Sequence, residues 1–155
     1  LFVRYREQLR AVRQPVFAGE DFDRLPGVEN EEGGLRLGEA LLFNEGEAKL
    51  KPEASSILDE IASLLREKYA GEMVLVEGHT DNQPLELGRR WTNMSFSQAR
   101  AQAVFEYFLD HGIPESRLIV TSYSFQKPID PETADTREGR RRNRRVVIRR
   151  GGPQI

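Results

Sequence analysis

The run Met73-Val74-Leu75-Val76-Glu77 constrains this chain most. It is short, apolar and β-branched, the pattern of a buried strand. Helical periodicity lies on either side of it. Upstream, Pro52 opens a segment reaching about Tyr69, in which Ile57, Ile61, Leu64 and Leu65 recur at i, i+4, i+7 and i+8. Gly71 is placed to stop that helix. Downstream, a second helix runs from about Ser95 to His111 and ends at Gly112-Ile113-Pro114. Further strands are expected at Leu35 to Leu37 with Ala40 to Phe43, at Leu118 to Tyr123 and at Arg145 to Arg149. The order is β-α-β-α-β-β. Strands joined through helices favour parallel neighbours, and the last pair can close antiparallel.

With 155 residues and 38% hydrophobic content, the chain is the size of one domain with a real core. A net charge of -2 and a pI near 5.8 argue against a general polyanion binder. Zero cysteines exclude disulfides and thiolate metal sites. His79 and His111 are the only histidines, so a histidine-rich metal centre is not expected, and no cofactor is called for. No stretch approaches ~20 apolar residues, and no signal peptide is visible. The chain opens on Leu1, so an anchor or targeting segment ahead of it is compatible with the sequence. Residues 1–34 read as a linker or lead-in: a short basic helix or a solvated linker to about Arg13, then an irregular stretch from Gln14 to Gly34. Gln126 to Arg142 reads as a long polar connection, and 151–155 as a tail.

Arg100 points to a site. At about 100° per residue, and with Phe96 as origin, Tyr107, Arg100, Val104 and Phe108 fall within a sector of about 120°. An arginine among apolar side chains is costly unless an anion meets it. Its place near the helix start adds an unfavourable dipole of a few tenths to ~1 kcal/mol. Asn93 stands about two turns earlier, and Asn93 or Ser95 is the expected cap. The buried strand delivers the chain to Gly78-His79-Thr80-Asp81, at the strand end where α/β folds tend to place ligands. Residue types leave three arrangements open: an Arg100–Asp81 salt bridge stabilising the loop, Asp81 as a loop cap, or a receptor for a ligand carrying both an ammonium and a carboxylate.

His79 has no nucleophile motif or second histidine beside it, and is expected to hydrogen-bond loop backbone. Eight arginines lie between Arg137 and Arg150, which invites a nucleic-acid reading. No aromatics interleave with them, and Val146 and Ile148 embed a strand in the run, so most are expected on the surface, solvated or paired. Arg144 and Arg145 alternate to opposite sheet faces, so at most one shares a pocket with Asp81.

Three ordered motifs carry a resemblance. Gly78-His79-Thr80-Asp81, Asn93-Met94-Ser95-Phe96-Ser97-Gln98-Ala99-Arg100-Ala101 and Asn143-Arg144-Arg145-Val146 resemble the G-H-T-D, N-x-x-L-S-x-x-R-A and N-R-R-V motifs of OmpA-like peptidoglycan-binding domains. The resemblance spans about Leu35 to Arg149. It implies an α+β sandwich over 35–150, with a mixed four-stranded sheet and helices on one face. Within the family, Leu42-Phe43-Asn44-x-Gly46-x-Ala48-x-Leu50, Thr80-Asp81-Asn82-x-Pro84 and Asp135-Thr136-x-x-Gly139-Arg140-x-x-Asn143-Arg144-Arg145-Val146 resemble the MotB flagellar stator type, as does the long loop between Asp81 and Asn93. Phe96 replaces the usual leucine, Met94 stands where tryptophan is frequent, and Ser122-Tyr123-Ser124 stands where a G-Y-G turn is common.

The resemblance implies non-enzymatic binding of the peptide stem of peptidoglycan through diaminopimelate. Asp81 would take the ligand ammonium and Arg100 its carboxylate. Thr80, Asn93, Ser97 and Phe96 would complete or wall the pocket, with Arg144 as a second cation and His79 and Arg145 as outer candidates. It further implies a periplasmic domain of an inner-membrane protein, working as a homodimer with a MotA-like channel subunit. A general envelope anchor of the OmpA or Pal type is the alternative. An enzyme acting on cell-wall peptides and a nucleic-acid binder are further alternatives, tested by fragment release and by salt-dependent gel shifts.

Overall fold

The computed structural model describes residues 15–83 and 92–151. The basic segment before Pro15, the loop containing Pro84 and Trp91, and the last four residues lie outside the described residues. Five strands form one mixed sheet: β1 (Glu29–Glu31), β2 (Gly34–Gly38), β3 (Val74–His79), β4 (Leu118–Ser124) and β5 (Arg145–Arg150), in the order β1-β2-β5-β3-β4. The helices are α1 (Glu39–Leu42), α2 (Ala54–Arg66), α3 (Asn93–Asp110) and α4 (Arg137–Asn143). No helix among the described residues is long and apolar enough to cross a membrane.

The strand–helix–strand unit centred on β3 forms as its pattern predicts. β3 and β4 are parallel and joined through α3. The last strand departs from expectation. β5 does not close against β4 but inserts between β2 and β3, antiparallel to both. Four strands were expected, and the fifth is β1, which pairs with β2 inside the stretch read as irregular. Part of that stretch also enters the core, through Phe17, Leu25 and Val28. Its alternating charges and glycines conceal a tight hairpin: Glu32 and Gly33 both take positive φ between the two short strands.

Two further differences matter for the site. Ala40 to Phe43, expected to extend the first strand, instead winds into α1 directly after β2. The polar connection after β4 contains α4, whose N-cap Thr136 accepts a hydrogen bond from Gly139 N–H at 3.0 Å.

Alternation along the strands divides the sheet faces. Leu35, Leu37, Val74, Val76, Val146 and Ile148 join the core with α2 residues Ile57, Leu58, Ile61 and Leu65 and α3 residues Ala101, Val104 and Phe108. Arg36, Glu77, His79, Arg145 and Arg149 stand on the other face. α3 lies unusually close to β3 at one point: a Cβ on Gly78 would come within 2.1 Å of the Ser97 carbonyl oxygen. Only glycine permits that contact, and it sets the start of α3 beside Thr80 and Asp81.

Gly78→Val is therefore expected to destabilise the fold by about 3 kcal/mol or more, since backbone must move to relieve the clash. A thermal melt would show a drop of roughly 10 °C. A melting temperature within about 2 °C of the parent would contradict this account of the α3–β3 contact.

Candidate functional site

The site forms where β3, α1, α3 and β5 meet. β3 carries a bulge at its end: Gly78 pairs with Ser122, but His79 pairs with Ser124. Ser124 takes φ 55° and its carbonyl accepts Thr80 N–H at 2.8 Å. The chain then turns at Asp81, whose Oδ1 accepts Gln83 N–H at 2.9 Å. Thr92, not Asn93 or Ser95, caps α3: its Oγ1 accepts Ser95 N–H at 3.0 Å while Ser95 Oγ accepts Thr92 N–H at 2.9 Å. Asn93 is the first residue of the helix.

Arg100 is buried, as its place in the apolar stripe requires, but its partner is not Asp81. Its Nη1 donates to Glu39 Oε2 at 2.7 Å, its Nε to the Glu47 carbonyl at 2.9 Å, and its Nη2 reaches the Asn44 carbonyl at 3.4 Å. The Phe43 and Phe96 rings flank the guanidinium, with centroids 4.6 and 4.3 Å from Cζ. The two carbonyls come from the Asn44–Glu47 turn, where Gly46 takes φ 74°. Burial pushes the Arg100 guanidinium down from its ordinary range, and the Glu39 carboxylate opposes that shift.

Asp81 is paired with Arg144. Arg144 Nη1 donates to Asp81 Oδ2 at 2.7 Å, and its Nε donates to Glu39 Oε1 at 3.1 Å. Burial opposes the charge on Arg144, but the two carboxylates outweigh it and raise its pKa. The result is one continuous chain of four charges, Arg100–Glu39–Arg144–Asp81, neutral in sum. Two buried polar atoms, Thr80 Oγ1 just after β3 and Asn93 Oδ1 at the start of α3, have no hydrogen-bond partner among the described residues. Unpaired buried polar atoms are uncommon and mark a place where a ligand or water can be received.

The remaining expected residues divide. Phe96 walls the Arg100 guanidinium. Ser97 does not face the ionic chain: it hydrogen-bonds Ser122 Oγ and the Met94 carbonyl, fastening α3 to β4. Asn82 bonds Asp135, so the Thr80-Asp81-Asn82 and Asp135-Thr136 motifs touch. Arg145 and His79 lie on the opposite sheet face. There Arg145 Nε and Nη2 clasp Glu31 at 2.7 and 3.0 Å, and Arg149 Nε donates to Glu77 at 2.8 Å. His79 bonds the Glu77 carboxylate at 3.1 Å rather than loop backbone, and stacks on Tyr123. Burial pushes the His79 pKa down against the pull of Glu77. These groups line a separate groove of about 690 Å³. Arg149 and Arg150 end in Glu77 and Glu72, so several arginines of the basic run are neutralised within the fold.

Glu39 was missed by sequence reasoning. It stood between Leu37 and Ala40, in the break between the two pieces of the first expected strand, where no pattern gave it a role. The available signal was stoichiometric: two cations, Arg100 and Arg144, stood near one acid, and a second carboxylate had to come from elsewhere. No group of three or more His, Cys, Asp or Glu side chains suited to hold a metal occurs among the described residues.

The comparisons with known proteins bear on the fold and the family. The OmpA family model matches residues 42–144. The chain is 38% identical to YtxE of Bacillus subtilis over 74% of its own length, and that alignment spans 46% of YtxE, about half of that protein. It is 33% identical to the peptidoglycan-associated lipoprotein of Pseudomonas aeruginosa, covering 85% of this chain and 74% of that one. Among solved structures, the MotB-like protein from Desulfovibrio vulgaris superposes with a TM-score of 0.70 at 29% identity, covering 97% of this chain and 88% of that chain.

The groove face yields a pH prediction. Burial raises the Glu31 carboxyl, but Arg145 and Arg36 outweigh it and hold its pKa at about 2, below the ordinary 4.5. The folded state thus favours the ionised form. Its contribution is complete above pH 4.5 and is lost as pH falls through that value toward about 2. The stability deficit of Glu31→Gln, read by urea unfolding, should shrink by on the order of 3 kcal/mol across that window. A deficit independent of pH would contradict the assignment.

Proposed function

Because the chain belongs to the OmpA family, we propose that it binds the peptide stem of peptidoglycan non-covalently and serves as an OmpA/Pal-type anchor to the cell wall in the periplasm. The observation that carries this reading is the ionic chain ending in the Asp81–Arg144 pair, together with the unpartnered Thr80 and Asn93 oxygens. Diaminopimelate ends in an ammonium and a carboxylate on one carbon, and this pair presents one partner for each. Both carboxylates of the chain are tied to arginines, an arrangement suited to holding charge rather than to transferring protons.

A stator role is a second reading. It is supported by the Thr80-Asp81-Asn82-x-Pro84 and Asp135-Thr136-x-x-Gly139-Arg140 patterns, and by a likeness to a MotB-like protein that extends over nearly the whole chain. It calls for a homodimer and a MotA-like channel subunit reached through a membrane helix ahead of this chain.

Asp81→Asn keeps the shape and removes the charge that would receive the ligand ammonium. It should cut co-sedimentation with purified peptidoglycan by roughly tenfold or more, the worth of a charged hydrogen bond, while a melt shows the fold intact. Co-sedimentation equal to the parent's would contradict the proposed site.

A further inference from the structure

The sheet face turned away from Asp81 and Arg100 holds the groove of about 690 Å³, and the peptidoglycan reading makes no use of it. Its floor is largely self-neutralised: Arg145 clasps Glu31, and Arg149 holds Glu77. Two lining residues keep unspent capacity, and both contact the Tyr123 ring. The first is His79, which is 2% exposed. Its Nε2 lies 3.1 Å from Glu77 Oε1, and a carboxylate can only accept, so that nitrogen carries a proton. Burial favours the uncharged ring, which leaves Nδ1 as a bare lone pair. Nδ1 is enclosed and has no hydrogen-bond partner among the described residues. Tyr123 stacks on this imidazole with ring centroids 5.2 Å apart. The second residue is Lys127. It is exposed, its Nζ rests 3.9 Å from the Tyr123 centroid, and it meets no carboxylate among the described residues. An acceptor lacking a donor and a cation lacking an anion thus stand against one aromatic ring.

We propose that this groove is a second binding site, one that takes the free C-terminus of a peptide, with the terminal carboxylate on Lys127 Nζ and a main-chain N–H of the last residues on His79 Nδ1. A carboxylate with a neighbouring N–H supplies both groups that the two residues lack. Lys127 gives up a cation–ring contact and gains a charge-assisted hydrogen bond. Tyr123, relieved of Lys127, turns aside and opens Nδ1 to the ligand. A buried acceptor without a donor is costly, so a ligand that satisfies Nδ1 removes a cost the free protein carries. The groove continues past these residues to the β1–β2 hairpin and Pro15, which leaves space for the rest of a peptide chain. A small hydroxy acid offers the same carboxylate and donor without that chain. Nothing in this site depends on Asp81, Arg100 or Arg144, so it stands or falls separately from the peptidoglycan reading.

The test is a titration of the full chain at pH 7, read from the ring-nitrogen resonances of His79 by nuclear magnetic resonance. The ligands are N-acetyl-trialanine with a free C-terminus, the same peptide as its C-terminal amide, and L-lactate. The free acid should shift the Nδ1 resonance saturably, and the amide should bind about threefold more weakly, the worth of a partly exposed ion pair. Lys127→Met, a change at an exposed position, should bring the free acid down to the affinity of the amide and leave the amide unchanged. Co-sedimentation of Lys127→Met with peptidoglycan should equal the parent's. No saturable shift of Nδ1 with the free acid overturns the site. Equal affinity for acid and amide in the parent, or an acid preference that survives Lys127→Met, overturns the role of Lys127 and with it the proposal. L-lactate binding as tightly as the peptide acid overturns the peptide assignment in favour of a small hydroxy acid.

Discussion

Glu39 holds two guanidiniums with one carboxylate, and the geometry of the site depends on that sharing. Arg100 is driven into the interior by its place on the apolar stripe of α3, where a lone cation is costly. Glu39, two backbone carbonyls and two aromatic rings meet that cost together. The same carboxylate then reaches Arg144 and through it Asp81. Removing one member of such a buried pair costs about 3–5 kcal/mol, because the other charge is left alone. Within the network Arg144 is the most exposed member, while Arg100, Glu39 and Asp81 are largely enclosed.

Backbone geometry decides which residues enter this network. Gly78 lets α3 approach β3 to backbone contact, which sets the helix start beside Thr80 and Asp81. The bulge after Gly78 shifts the pairing by one residue at the point where the strand gives way to the site. Arg144, the residue that ends α4, reaches Asp81, while Arg145 opens β5 on the opposite face, where it clasps Glu31. Two adjacent arginines of one motif thus serve two unrelated tasks. The Arg145 face is a charged lattice of Glu31, Arg36, Glu77 and Arg149, with His79 stacked on Tyr123.

Much of this was legible in the sequence. The helical periods of α2 and α3 and the β-branched runs of β3 and β4 are strong local signals. Arg100 was recognisable as a buried cation from its position among Phe96, Val104 and Phe108. The opposite facing of Arg144 and Arg145 was expected from strand alternation, although Arg144 ends α4 and only Arg145 belongs to β5. What escaped was non-local. No local pattern announces that β5 inserts between β2 and β3, since that choice rests on how several strands share one core. β1 is three residues long and charged, so its strand character exists only through pairing with β2. Glu39 and the exchange of partners, Arg100 to Glu39 and Arg144 to Asp81, depend on where α1 turns after β2. Ser124 is a middle case: a serine stood where glycine is common, and the structure retains the positive φ that glycine would adopt freely.

The central claim is that the ionic chain Arg100–Glu39–Arg144–Asp81 receives a ligand carrying both an ammonium and a carboxylate. A crystal structure of the chain with the diaminopimelate tripeptide tests it most directly. The account predicts the ligand ammonium within hydrogen-bond distance of Asp81 and the ligand carboxylate on a guanidinium of the same four-charge chain. A complex in which the ligand lies on the opposite sheet face, with all four charges untouched, would contradict it.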